Sequence, residues 1–213
     1  MSISDVGSFP FIQASQYTRK ERTGIDFIVI HTMEADQTQG KARQVAEWFA
    51  SSGSPDASAH LLIDPYEVVR GVHDKDWAWH AGAANGPSIG IEHAGWAYKT
   101  DWSTPESQAE LTRSAKVVAE YCRKYDIPAV WLTAEDLKAG KRGITGHREC
   151  NVAFESGHGH TDPGPNFPRE EYTRKVKLYV ALGRSLKVGV AVLAVGAIGA
   201  AVYFAMGQNK AFR

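Results

Sequence analysis

The chain has 213 residues, of which 24 are basic, 24 are acidic and 43% are hydrophobic. This composition excludes a wholly disordered or fibrous chain, and the length suffices for one well-buried domain with an appendage. A formal net charge of zero argues against a dedicated nucleic-acid binder, which would carry a basic excess.

The first half of the chain predicts strands that alternate with a helix. Each prediction rests on the pattern of apolar side chains and on the turn residues between them. The predicted elements are a buried strand over 25–30 that ends at His31, a helix over 40–50, a hairpin of 60–64 and 67–72, and a strand over 88–93.

The second half predicts mainly helices. The longest helix covers 104–124, with Ser103 and Glu106 as a capping pair and Pro105 in the first turn. Strands and helices in this order predict an α/β domain over roughly residues 1–180. The other predicted elements are a helical turn over 133–139, a strand or turn over 143–147, a loop rich in glycine and histidine as far as 162–164, and a last helix over 169–182.

One apolar run stands apart from this domain. Residues 188–206 are 19 consecutive residues without a charge, an amide or a hydroxyl other than that of Tyr203. As a helix the run is about 28 Å long, close to the hydrocarbon core of a bilayer. A buried core helix is the alternative, but such a helix is rarely apolar on every face. We therefore expect a single-pass C-terminal anchor in the lipid bilayer, in which Gly196 and Ala200 favour helix–helix self-association.

The charges around this run predict an orientation. Six basic residues precede it and two follow it, which favours a domain on the cytoplasmic side. They are Arg169, Arg174, Lys175, Lys177, Arg184 and Lys187 before the run, and Lys210 and Arg213 after it. The N-terminus has no basic leader followed by an apolar stretch, so no signal peptide is expected. Cys122 and Cys150 are too few for a disulfide framework and are expected as free thiols.

The histidines and aspartates near turns predict a metal site. His31 ends a predicted strand, and His147 and Asp162 lie close to glycines later in the chain. Two imidazoles and one carboxylate form the donor set of catalytic zinc sites, in which a fourth position stays open for water. Spacing alone does not select these ligands, because other candidates are as close to His147. These candidates are Cys150, His158 and His160.

Six short segments narrow the choice because they match a known family in order. They lie between residues 25 and 168 and read IDFIVIHTME, SAHLLID, AWHAG, SIGIEHAG, ITGHREC and TDPGPNFP. In them the chain resembles the zinc-dependent N-acetylmuramoyl-L-alanine amidases of the amidase-2 type, which are similar to peptidoglycan recognition proteins and T7-like lysozymes. The resemblance implies a central mixed β-sheet flanked by helices. We expect an N-terminal arm (1–24), a catalytic domain (25–183) and a membrane anchor with a short tail (184–213).

The resemblance also implies the roles of individual residues. The metal ligands of the family fall on His31, His147 and Asp162, which implies one Zn²⁺ ion per chain. Glu92 matches the glutamate that acts as general base on the zinc-activated water. His160 stands where relatives carry a lysine, and in its protonated form it is expected to donate a hydrogen bond to the oxyanion.

The substrate groove of relatives falls on a further set of residues in this chain. Ala59 replaces the tyrosine that many relatives carry before His60, so a tyrosine-assisted mechanism is not expected. The residues expected to contact substrate are His60, Trp79, His80 and Asn85.

The implied reaction is hydrolysis of the amide between N-acetylmuramic acid and L-alanine of the stem peptide, in peptidoglycan or in muropeptides. The preferred interpretation is a phage-type lytic enzyme in a host inner membrane or a virion membrane. The alternatives are a cellular enzyme that recycles muropeptides and a non-catalytic peptidoglycan-binding module. Asp162 argues against the latter, because non-catalytic relatives usually replace the third ligand.

Overall fold

The computed structural model describes residues 3–155 and 159–185, which build a central sheet with helices on both faces. This architecture confirms the predicted α/β fold. The elements in chain order are β1 (Tyr17–Thr18), β2 (Phe27–Thr32), α1 (Lys41–Ala50), β3 (Leu61–Ile63), β4 (Val68–Arg70), β5 (Trp77–Ala78), β6 (Ser88–His93), α2 (Pro105–Tyr125), α3 (Ala134–Lys138), β7 (Gly143–Gly146), α4 (His147–Phe154) and α5 (169–185).

The main sheet has five strands in the order β4-β3-β6-β2-β7. Strands β3, β6, β2 and β7 are parallel, whereas β4 pairs with β3 in the antiparallel sense. The register between β2 and β6 sets His31 opposite Glu92. Since parallel neighbours end at the same edge, the carboxyl ends of β6, β2 and β7 form one continuous edge, where ligand sites of open α/β sheets lie. Strands β1 and β5 form a separate antiparallel pair.

The two faces of the sheet bury different side chains, because successive strand residues point to opposite sides. On one face, Ile28 and Ile30 pack in the cluster that contains the buried sides of α2 and α5. On the other face, Phe27 and Val29 pack against the segment that includes α3 and α4. His31 follows in this second row, so the alternation in β2 aims its imidazole at the α4 side of the sheet.

The segment that precedes β1 is fastened along β4 and the turn beyond it. Backbone hydrogen bonds join Ile12 N to the carbonyl of Arg70 and Arg70 N to the carbonyl of Pro10. The buried Arg70 guanidinium forms an ion pair with Asp74, whose second oxygen accepts a 2.8 Å hydrogen bond from Val6 N. The expected N-terminal arm is therefore packed on the domain.

Two predicted boundaries differ from the structure near the candidate ligands. β2 continues to Thr32, one residue beyond the predicted end at His31, because its pairing with β6 runs on to Thr32. α4 occupies the start of the segment that the sequence predicts as a loop. Its buried residues are few, with Cys150 and Ala153 covering the sheet one turn apart, so its helical spacing is too short to detect from the pattern.

The cap of α2 also differs from the prediction. Thr104 is the N-cap residue, and its hydroxyl accepts a 3.2 Å hydrogen bond from the backbone N–H of Ser107. The expected capping pair of Ser103 and Glu106 is wrong, because the Ser103 hydroxyl donates to Asp101 Oδ1 at 2.6 Å in the turn before the helix.

Cys122 and Cys150 are buried free thiols, as expected. Within residues 3–155 and 159–185, no helix has the length and apolar character needed to cross a bilayer. The run at 188–206 lies outside the described residues, so the expected anchor and its self-association stay predictions.

The cap can be tested by a pair of substitutions. Thr104→Ala should lower the free energy of unfolding by about 1 kcal/mol, because it leaves a first-turn N–H without its side-chain acceptor. Ser103→Ala should change it by less than half of that amount. Urea denaturation of both variants measures the difference, and an equal loss in the two would contradict Thr104 as the cap.

Candidate active site

Three parallel strands deliver the candidate residues to one edge of the sheet. His31 lies near the end of β2, Glu92 pairs with it from β6, and His147 follows β7 directly as the first residue of α4. Paired residues of neighbouring strands point to the same face. The imidazole of His31 and the carboxyl group of Glu92 therefore lie side by side.

Asp162 joins this edge from the loop that precedes α5. Its Oδ2 lies 2.8 Å from Nδ1 of His31, and its Oδ1 lies 3.3 Å from Nδ1 of His147. One ligand atom of each residue lies within 4.8 Å of the other two. The loop depends on Gly164, which has a φ of 82° and would place a Cβ 1.9 Å from the carbonyl oxygen of Ala97.

The electrostatics of this cluster favour neutral imidazole and ionised carboxylate. Burial lowers the pKa of His31. Burial raises the pKa of Asp162 and the imidazole of His147 that faces it lowers this pKa, which in the folded protein lies far below its ordinary value. Two imidazoles and an anionic oxygen converging on one point form a donor set that suits Zn²⁺, so the residues present fit the ion that the resemblance implies.

Glu92 lies beside the cluster with an enclosed carboxyl group. Its Oε2 has no hydrogen-bond partner among the described residues. Burial raises the pKa of Glu92 well above its ordinary value, and the charges of Asp162 and Glu34 raise it further. A carboxyl group with a raised pKa can hold or release a proton near neutral pH, as a general acid–base group must.

The cluster opens into a cleft of about 610 Å³. The side chains around it come from β2, β6, α1, the segment after β5 and the loop before α5. Besides the three candidate ligands, they include Glu34, Phe49, Trp79, His80, Glu92 and His160.

His160 lies at the open side of the cleft, with 60% of its side chain exposed. Its ring stacks on that of His147 with 4.5 Å between centroids and 10° between planes. Its Nδ1 lies 3.9 Å from Asp162 Oδ1. His160 thus lies next to the candidate ligands, and its contact with the oxyanion stays a prediction.

Two of the predicted substrate contacts hold parts of the cleft wall together. The indole Nε1 of Trp79 donates to Thr18 Oγ1 at 2.9 Å, which ties the wall to β1. Asn85 Oδ1 accepts from the backbone N–H groups of His80 and Ala81 at 3.0 and 2.7 Å. Trp79 and Asn85 both line the cleft, and substrate contact by either one stays a prediction.

His60 and His80 are more deeply buried than residues that contact substrate should be. His60 is fully buried and lies away from the cleft, where its Nδ1 accepts from Gly90 N at 3.0 Å and its Nε2 lies 3.2 Å from the carbonyl of Asp76. Burial and then the charge of Arg22 lower the pKa of His60 well below its ordinary value. This position does not support substrate contact by His60. His80 borders the cleft, but both of its ring nitrogens have partners within the protein.

Glu34 is a cleft residue that the sequence did not single out. Its Oε1 accepts from Thr32 Oγ1 at 2.8 Å and from Ala97 N at 2.9 Å, and its φ is 51°. A positive φ at a residue other than glycine costs energy and is concentrated at functional sites. The one sequence feature that could have identified Glu34 is its position just beyond β2, at the carboxyl edge of the sheet.

Sequence comparison places the chain among enzymes that hydrolyse amide bonds. It belongs to the N-acetylmuramoyl-L-alanine amidase family, Amidase_2, whose family model matches residues 20–165. This match covers more than half of the chain and confirms the resemblance carried by the six segments. Amidase activity on peptidoglycan follows from membership of this family.

Individual relatives agree with this assignment. N-acetylmuramoyl-L-alanine amidase A of Achromobacter lyticus is 29% identical over 157 residues, which are 68% of this chain and 79% of the relative. The crystal structure of the Staphylococcus aureus hydrolase AmiA in complex with its ligand has a TM-score of 0.66 at 13% identity, and the match covers 85% of this chain and 87% of AmiA. An AmpD derivative has a TM-score of 0.56 at 23% identity, over 82% and 99% of the two chains. At these identities the two structures support the fold.

Behind the cleft, a buried polar chain ties β2 to two helices. His93 Nδ1 lies 3.2 Å from the carbonyl of His31, and its Nε2 lies 2.7 Å from Ser114 Oγ in α2. Ser114 Oγ in turn lies 2.6 Å from the hydroxyl of Tyr172 in α5. Burial lowers the pKa of His93 to about 4 from an ordinary value of 6.5.

This shift predicts acid sensitivity of the zinc-free protein. Between pH 6.5 and about 4 the unfolded chain binds a proton at His93 that the folded chain does not, so stability falls as the pH falls. His93→Gln should reduce the slope of unfolding free energy against pH by up to one proton, about 1.4 kcal/mol per pH unit. His73→Gln, at a half-exposed surface position, is the control. Equal slopes in wild type and His93→Gln, measured by urea unfolding, would contradict the prediction.

Proposed function

We propose that this chain hydrolyses the amide between N-acetylmuramic acid and L-alanine of the peptidoglycan stem peptide, with one Zn²⁺ ion held by His31, His147 and Asp162. The main support is the convergence of three ligand atoms within 4.8 Å of one another, beside the enclosed Oε2 of Glu92. When bound, the ion supplies a Lewis acid that polarises the scissile carbonyl and makes water more acidic.

Glu92 supplies the proton transfers in this proposal. Its carboxylate takes a proton from the attacking water and then delivers this proton to the nitrogen of the leaving L-alanine. The raised pKa of Glu92 favours the second transfer, because a weakly acidic carboxyl group retains the proton until the amine leaves. The amide bond breaks, and the products are a free lactyl carboxylate and a free α-amine.

His160 supplies a hydrogen bond to the oxygen that becomes negative during the attack. Its exposed ring lies at the open side of the cleft and stacks on His147, which keeps it close to the reacting centre. A donor that meets developing negative charge lowers the barrier more than it stabilises the substrate. Trp79 contributes an apolar wall for the sugar or the peptide.

Replacement of Glu92 separates metal binding from catalysis. Glu92→Gln keeps the shape of the side chain but cannot take a proton, so turnover of purified peptidoglycan should fall by about 10²- to 10⁴-fold while zinc content stays at one per chain. His31→Ala should lose both zinc and activity. Metal analysis and release of free α-amines measure the two properties.

The matched control for this experiment is Glu110→Gln. Glu110 is a buried carboxyl group of α2 whose pKa is also raised by burial, and it lies outside the cleft. It should leave both zinc content and turnover close to wild type. Near-normal activity of Glu92→Gln would exclude Glu92 as the acid–base group.

We further propose that residues 188–206 anchor the enzyme in a bilayer and that its role is lytic, as in a phage-type enzyme. The length and uniform apolar character of this run support the anchor. Recycling of internalised muropeptides is the second candidate. It is favoured by the six basic residues that precede the run, since they favour a cytoplasmic domain.

Membrane attachment can be measured on the full chain in bacterial cells. The wild type should remain with membranes after alkaline carbonate extraction, whereas the double variant Leu193→Arg with Ile198→Arg should be released, because each arginine near the middle of the run costs about 3 kcal/mol on insertion. Extraction of the wild type into the soluble fraction would exclude the anchor. Protease added to spheroplasts then reads the side on which the domain lies: digestion supports access to the wall, and protection supports recycling.

A further inference from the structure

A chain of hydrogen bonds runs from His31 into the interior of the protein. Its first link joins Nε2 of His31 to Nδ1 of His80, 3.0 Å apart. Its second link joins Nε2 of His80 to Ser88 Oγ, 3.1 Å apart. The hydroxyl of Ser88 donates at 2.5 Å to the carbonyl of Ala84, at the end of the short 3₁₀ turn that follows β5.

The carbonyl at the inner end sets the direction of every link. A carbonyl only accepts, so Ser88 uses its one proton on Ala84, and Ser88 Oγ must accept from Nε2–H of His80. A neutral His80 that carries its proton on Nε2 has a free lone pair on Nδ1. This lone pair accepts from Nε2–H of His31. A neutral His31 in this tautomer has its own lone pair on Nδ1.

Nδ1 of His31 is the atom that faces Asp162 Oδ2 at 2.8 Å. In the tautomer set by the chain, an imidazole lone pair and a carboxylate oxygen face each other, and both are acceptors. Two acceptors at this distance are stable together when a cation lies between them. The donor-to-acceptor direction of these hydrogen bonds therefore leaves the Nδ1 lone pair of His31 available to bind a metal ion.

We propose that His80 and Ser88 are positioning residues that hold His31 in its metal-binding tautomer and orientation. This inference rests on the proposed zinc site and assigns His80 a role other than substrate contact. A hydrogen bond from the second nitrogen of a ligating histidine fixes the ring and raises its basicity. Here the acceptor is a second histidine, whose own tautomer is fixed by a serine.

The packing around His80 is built for this position. A Cβ at position 90 would lie 2.4 Å from Cγ of His80. The imidazole ring therefore occupies space that the side chain of any residue other than glycine would fill at this position. Asn85 Oδ1 holds the backbone of His80 and Ala81 from the other side. His80 is 8% exposed, and its ring has little freedom to turn toward substrate.

Zinc affinity of the full chain tests the role of His80. In His80→Phe the ring shape is kept and both nitrogens are lost, so zinc should bind about 10- to 100-fold more weakly in competition with a chelator. In His80→Asn the side-chain oxygen stands near the place of Nδ1, and most of the affinity should return. His73→Phe, which removes a histidine bonded to Asp5 at the surface, should bind zinc like the wild type.

Ser88→Ala tests the direction of this series of hydrogen bonds. It changes neither the metal ligand His31 nor His80. It removes the acceptor for Nε2–H of His80, which frees His80 to reverse its tautomer, so zinc affinity should fall by about 10-fold. Ser114→Ala is the matched control, because Ser114 is an equally buried serine bonded to the imidazole of His93. It should cost stability without a comparable loss of zinc affinity.

Nitrogen NMR of the imidazoles gives a readout that folding alone does not change. In the zinc-free full chain, above neutral pH, the proton should reside on Nε2 of both His31 and His80. A proton on Nδ1 of His31 in the wild type would overturn the proposal, as would wild-type zinc affinity in both His80→Phe and Ser88→Ala. A wild-type chain that binds no zinc would instead contradict the zinc amidase itself. If His80→Phe does not fold, His80→Asn, Ser88→Ala and the wild-type spectrum still decide.

Discussion

The contact between Asp162 and His31 joins two segments that are 131 residues apart, and the candidate site is arranged around it. A buried carboxylate among imidazoles carries a desolvation cost that the surrounding structure must offset. The parallel sheet fixes His31 and His147 at neighbouring strand ends, and the turn at Gly164 brings the carboxylate to them. The site therefore forms only in the folded protein, because no single segment of the sequence contains all three candidate ligands.

The strands and helices with strong patterns could be predicted from the sequence, and the site could be predicted only in part. Residues 88–93 alternate and form β6, and the helical spacing within 40–50 forms α1. Spacing did not separate Asp162 from Cys150 as a ligand, whereas the resemblance did. In the structure, Cys150 packs under α4 in an apolar cluster, where burial raises the pKa of its thiol and so disfavours the thiolate that binds metal.

The roles of the remaining histidines could not be predicted, because they depend on strand register and on which atoms meet. His60 and His80 both fall in segments that resemble the family. In the structure, His80 and not His60 is hydrogen-bonded to the candidate metal ligand His31. Gly90 has no side chain, which leaves space for the His80 ring next to β2. A pattern of residue types contains no information about which ring nitrogen carries the proton, and that information comes from the carbonyl of Ala84.

Under the proposed membrane anchor, helix α5 links the apolar run to the edge of the sheet where the cleft lies. Its Tyr172 is connected by hydrogen bonds through Ser114 and His93 to the carbonyl of His31, at the edge of the sheet. In the sequence, two residues lie between the last described residue of this helix and the apolar run. With the run embedded as proposed, we expect the cleft to stay close to the bilayer and to act on glycan that comes within reach of the bilayer surface.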